Sequence, residues 1–165
     1  MILAVDVSYQ DNSALVAGIL FKTWQSSSFD TVHTKKIDFV AEYEPGSFYK
    51  RELPCILAIL NVIDGEIDTI IIDGYVTLGV EKEYGLGMHL WDALGHRIPI
   101  IGVAKNYFKG TPHSCEILRG ESSKPLFITS VGIDLEEAKM NILNMHGKHR
   151  IPDLLKIVDQ KSKEI

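Results

Sequence analysis

Asp6 interrupts an otherwise apolar run, ILAVDVSY at 2–9, and an ionised carboxylate inside such a run is costly unless it is paired, hydrogen-bonded or bound to a metal. Asp73 raises the same question, because it closes the string DTIII just before Gly74. If the two runs are neighbouring strands of an α/β sheet, both acids lie at the edge where such sheets bind ligands, and unpaired they repel each other. A divalent cation resolves the repulsion: hard Mg²⁺ takes oxygen ligands and joins one or two carboxylates to a substrate phosphate. Two further acids could complete the set, Glu52 beside Arg51 and Asp159 in the last helical segment. Such a set serves in-line phosphoryl displacement, in which bound metal activates the attacking water and stabilises the leaving oxygen. Taken singly, each acid fits a turn, a cap or a solvated helix face equally well; the pairing of Asp6 with Asp73 carries the reading.

These acids need elements to hold them. The runs 2–9, 13–21 and 29–40 are β-branched, aromatic or apolar and are bounded by turn formers, which predicts an antiparallel three-strand meander. From Ser47 to Ile63 the apolar residues fall at helical spacing after Pro45-Gly46, so a helix carries Glu52, with Pro54 kinking it or joining two pieces. DTIIIDG at 68–74 reads as a central strand buried on both faces. A Gly-rich segment, a short helix over His89 to Leu94 and a strand at 98–104, ending just before Lys105, follow. Strands over 115–119 and 125–131 and helices over 134–146 and 152–163 complete the pattern. The fold class is therefore α/β: a mixed sheet of five or more strands, an antiparallel meander followed by parallel strands, flanked by helices.

With 165 residues, 45% of them apolar, the chain can bury one sizeable core, and a single domain over 1–165 is expected. Its apolar stretches fall short of a bilayer span and the N-terminus carries no signal pattern, so a cytoplasmic protein with no membrane partner is expected. Cys55 and Cys115 have neither CxxC spacing nor scaffold density and read as free thiols, Cys55 in the core. The net charge of −5 argues against indiscriminate binding to nucleic acid, so any such site is local or recruits cations.

Acid on the first strand, acid on the first helix, acid ending the fourth strand and acid on the last helix is the layout of ribonuclease H-like nucleases. Within that class the chain resembles the endonuclease V family through AVDVSY (4–9), YEPGSFYKRE (43–52), IIDG (71–74), GVAK (102–105) and HRIPDLLKIVD (149–159). The resemblance implies a ribonuclease H-like fold, here without the family's usual N-terminal helix, and a Mg²⁺-dependent endonuclease, with Mn²⁺ expected to substitute. Its partner would be DNA or RNA carrying deaminated bases, inosine in particular, nicked on the 3′ side by a monomer.

Carried over by position, Asp6, Glu52 and Asp73 match the family's metal-binding acids, and Asp159 falls where a His or Asp completes the metal site. Lys105 matches a lysine beside the scissile phosphate, where a point charge stabilises developing negative charge. Tyr43, Pro45 and Gly46 match a wedge loop that fills the gap left when a base leaves the stack. Gly74 and His89 match positions near the lesion. The segment after Asp73 lacks the family's Gly-rich and His-Pro-Arg elements, and Glu42 and Glu44 flank Tyr43. Two alternatives stay open at this point: a relative that binds nucleic acid without cutting it, and a ribonuclease H-like nuclease with another substrate.

Overall fold

The computed structural model describes residues 1–164 other than Phe39, Tyr43, Gly46 and Phe48. Three long strands come first, β1 (Ile2–Gln10), β2 (Ser13–Phe21) and β3 (Thr31–Ile37), each antiparallel to the next as the alternating runs require. Helix α1 (Tyr49–Leu60) leads to β4 (Thr69–Asp73), a short hairpin of β5 (Thr77–Leu78) and β6 (Glu83–Tyr84), helix α2 (Leu86–Ala93) and β7 (Ile100–Ala104). The chain ends with β8 (Glu116–Ile117), β9 (Leu126–Val131), α3 (Leu135–Leu143) and α4 (Asp153–Ser162). Among the described residues the main sheet has seven strands in the order β3-β2-β1-β4-β7-β9-β8.

The sheet is mixed, as expected, but the parallel part is confined to β1, β4 and β7. Strand β9 returns antiparallel to β7, and β8 pairs antiparallel with β9. Three other expectations shift. Pro54 does not join two pieces: α1 runs through it from Tyr49 to Leu60, with Pro54 on the exposed side near the helix start, where it forgoes one ladder hydrogen bond. The strand expected over 115–119 shrinks to two residues, because His113–Cys115 form a 3-10 turn. The hairpin β5–β6 was not expected, since two-residue strands are too short to leave a periodic trace.

Strand alternation distributes the core over two faces. Ile2 and Ala4 of β1 join Ile71 and Ile101 under α3 and α4, while Leu3, Val5 and Val7 join Ile70, Ile72 and Ile100 under α1 and α2. Each of these side chains contributes about 1.5–3 kcal/mol when fully buried. Asp134 caps α3, its carboxylate accepting from the Glu136 and Glu137 amides.

The segment joining α3 to α4 is tied down by Arg119, which is 4% exposed. Its guanidinium donates to the carbonyls of Met145 at 2.7 Å, Gly147 at 3.0 Å and His149 at 2.5 Å. This contact sets where α4 begins, and so where Asp159 sits. Arg119→Met leaves those carbonyls without a donor and is expected to cost about 3 kcal/mol, lowering the melting temperature by roughly 6–12 °C in calorimetry. A shift under about 2 °C would refute that role.

Candidate active site

Strands β1 and β4 run parallel, with Ala4 opposite Ile71, so Asp6 and Asp73, each two residues further along, come level on the α4 face. Beyond Ala4, β1 continues to Gln10 paired with β2 alone. The edge facing β4 therefore opens at Asp6, and this opening is the start of a cleft. Asp6 does not end its strand, as its partner does; it lies where β1 outruns β4.

Asp6 is 8% exposed, and its Oδ1 accepts from the Val7 amide at 2.9 Å. Glu52, 7% exposed in the first turn of α1, comes from the opposite face and lines a narrow cleft with Asp6, Asp73, Ile56 and Leu86. Lys105 follows β7, whose Val103 lies opposite Asp73; its Nζ stands 3.7 Å from Asp73 Oδ2, and with Asp6 and Asp73 it lines a second hollow under α4. Asp159 approaches from α4, hydrogen-bonded through its side chain to Asp6, and is paired with Lys163 at 3.0 Å one helical turn on.

Crowded acids with little water resist ionisation. Burial, the Asp73 charge and the hydrogen bond with Asp159 push Asp6 up to about 7. Burial, Asp6 and Asp73 push Glu52 up to about 8, against the pull of Arg51. Asp73, whose side chain is 43% exposed at the end of β4, is also raised by the protein around it, with Lys105 opposing. At Asp159 burial acts upward, but the hydrogen bond with Asp6 and the charges of Lys163 and Lys105 outweigh it and hold it below its ordinary value.

Among the described residues no three His, Cys, Asp or Glu side chains already stand close enough to hold an ion. The donor chemistry nevertheless fits a hard cation: Asp6, Glu52 and Asp73 offer only oxygens, face one cleft and repel one another when ionised. A cation there would offset the repulsion among the ionised acids.

The residues matched to nucleic-acid contact lie around this cleft unevenly. Gly74 has φ +140° and donates its amide to Val103, beside Gly102, where a Cβ would stand 2.5 Å from the Gly74 carbonyl oxygen. His89 sits apart from the acids, stacked on Tyr49 with ring centres 3.6 Å apart and edge-on to Tyr84, and partial burial lowers its basicity. Tyr49 is one turn before Glu52 on α1, so the stack adjoins the cleft. Pro45 lies in an exposed turn, whereas Tyr43 and Gly46 fall outside the described residues.

Two residues at the site escaped the sequence reading. Arg150 donates to the carbonyls of Lys105 at 2.5 Å, Pro125 at 2.8 Å and Lys124 at 3.2 Å, fastening the end of β7. Its partners are main-chain oxygens distant in sequence, which leave no motif. Lys163 was readable: it follows Asp159 at i+4 on one helix face.

Residues 1–123 match the protein family described as Endonuclease V. A protein of that name from Pyrococcus abyssi is 33% identical over 165 aligned residues, covering 98% of this chain and 78% of the relative. The crystal structure of endonuclease V from Streptomyces avermitilis superposes with a TM-score of 0.74 at 28% identity, covering 98% of this chain and 79% of that one. The Ciona intestinalis endonuclease V, crystallised with a 24mer DNA containing an inosine followed by a ribo-adenosine, shares the fold with a TM-score of 0.78 at 19% identity, over 98% of this chain and 83% of that one.

Proposed function

This chain belongs to the endonuclease V family, and on that premise we propose that it is a metal-dependent endonuclease that hydrolyses the phosphodiester 3′ to a deaminated base, inosine, in DNA or RNA. The observation that carries the reading is the convergence of Asp6, Glu52 and Asp73 on one cleft, with Lys105 paired to Asp73 on the adjoining face. The inosine-containing DNA bound by the Ciona intestinalis relative supports the substrate class. We take the enzyme to act as a monomer in the cytoplasm, with nucleic acid as its partner; no described helix is long and apolar enough to cross a membrane.

Asp6, Glu52, Asp73 and Asp159 would hold Mg²⁺, or Mn²⁺ in its place. When bound, the cation supplies Lewis acidity toward the phosphate and lowers the pKa of a coordinated water. The protein's own groups do the rest. The Val7 amide keeps Asp6 oriented, and Lys105, held by Asp73 in the free protein, offers its ammonium to charge that develops on the phosphate oxygens. Gly74, without a side chain, lets a backbone pass close to the acids. Taking a base from the stack costs a few kcal/mol, and in this reading Tyr43, Pro45 and Gly46 fill the gap while the His89 ring borders the displaced base.

Oligonucleotides carrying one inosine, single- and double-stranded, DNA and RNA, are expected to be nicked with Mg²⁺ or Mn²⁺. Lys105→Met is expected to lower kcat about 10²-fold while KM changes little, the pattern of an interaction made mainly in the transition state. No nicking by the wild type under any of these conditions would overturn the reading. A second reading, a relative that binds without cutting, is favoured by the altered segment after Asp73 and by the net charge of −5. Binding without nicking in the same assay would establish it.

A further inference from the structure

Resting on the nuclease reading above, we infer that the loop leaving β7 is a stacking platform for unpaired bases that flank the scissile phosphate. Tyr107 is 61% exposed and Phe108 43% exposed, so two adjacent aromatic residues face water directly after Lys105. Single exposed apolar residues are ordinary, but paired rings beside a charged cleft are not.

The loop is built to present them. Tyr75 donates its hydroxyl to the Asn106 carbonyl at 2.7 Å and accepts from the Phe108 amide at 3.1 Å. Tyr107 accepts through its own hydroxyl from the Gly110 amide at 3.0 Å and rests edge-on against Phe127, ring centres 5.8 Å apart. Phe108 leans on Tyr75 at 6.0 Å. Each ring is thus anchored on one side and open on the other, and little freedom remains to be lost when a base stacks.

Charge and position agree. Between Val103 and Ser114 the chain has Lys105, Lys109 and His113 and no acid, in a protein of net charge −5. A strand lying across Lys105 and Asp73 continues over this loop, because β4 and β7 end at the same edge of the sheet. Every base has a π-face, so such a platform is tolerant of sequence, yet it needs the base free of its partner strand. The site is thereby matched to single-stranded or frayed substrate.

The test is fluorescence anisotropy with the full chain, without divalent ion, using a labelled single-stranded oligonucleotide carrying one inosine and the corresponding blunt duplex. The double variant Tyr107→Leu, Phe108→Leu is expected to bind the single strand about tenfold more weakly and the duplex less than about twofold more weakly. Phe108→Trp, which keeps a ring, retains wild-type affinity. Single-strand affinity unchanged in the double variant, or lost equally for duplex, overturns the platform and leaves the nuclease reading standing. Wild-type protein that binds neither oligonucleotide overturns the platform, while nicking with Mg²⁺ or Mn²⁺ decides the nuclease reading separately. Circular dichroism of each variant separates lost folding from lost stacking.

Discussion

Asp6→Asn is expected to lose nicking of inosine-containing strands by about 10³-fold or more while becoming more stable than the wild type at pH about 8. The two effects have one cause. Asp6 is 8% exposed, beside Asp73 and in hydrogen-bond contact with Asp159, and burial with those neighbours lifts its pKa to about 7. Ionising it in the free protein is therefore unfavourable. The amide is nearly the same shape: its oxygen can still accept from Val7, and its NH₂ can donate to Asp159 without borrowing a proton. What the amide cannot do is neutralise a cation. Repulsion is relieved and ligand charge is lost in the same step. An Asp6 that were merely structural would move the other way, with stability falling and nicking following it. Melting temperatures and single-turnover nicking of the same preparation decide between these outcomes.

Stability in the absence of metal should fall as pH rises from about 5.5 to about 8, and Mg²⁺ or Mn²⁺ should restore most of the loss. Asp6 and Glu52 are lifted from ordinary values of 3.8 and 4.5 to about 7 and about 8, burial being the first cause for each. Between those limits the folded protein binds more protons than the unfolded chain, so stability is greatest at the acid end and declines through the folded pKa values. Between pH about 5.5 and the raised values lie about 1.5 units for Asp6 and about 2.5 units for Glu52, or about 2 and about 3.5 kcal/mol at roughly 1.4 kcal/mol per unit. Because the acids repel one another, their contributions overlap and are counted once. Ion bound only by the folded state at about 100 times its Kd returns close to 2.7 kcal/mol. Thermal melts at the two pH values, with and without millimolar Mn²⁺, measure this directly. A melting temperature that rises with pH in the apo protein, or no closing of the gap by metal, would contradict the arrangement.

Much of this site was legible along the chain. Asp6 and Asp73 stand out because apolar runs tolerate no stray charge, and the elements that carry Glu52 and Lys105 follow from a change of period at Ser47 and from the string IPIIGVA. The readings that failed have a common origin. Pro54 looks like a break because propensity ignores that its side of α1 faces water near the helix start. The return of β9 antiparallel to β7 is invisible, because an apolar run has the same pattern in either direction.

What the sequence by itself determined is which residues must find partners: buried carboxylates, central strands and a helix whose first turn carries Glu52 are properties of local pattern and of transfer energy. What only the tertiary structure decided is who those partners are. Asp159 meets Asp6 because Arg119 pins the α3–α4 segment, and Lys105 stands beside Asp73 where Arg150 grips its carbonyl. Both arginines bind main-chain oxygens, which every residue carries alike, so no spacing of side chains could have announced them. The opening at Asp6 likewise depends on β1 outrunning β4, a difference in strand length that matters only once the two lie side by side.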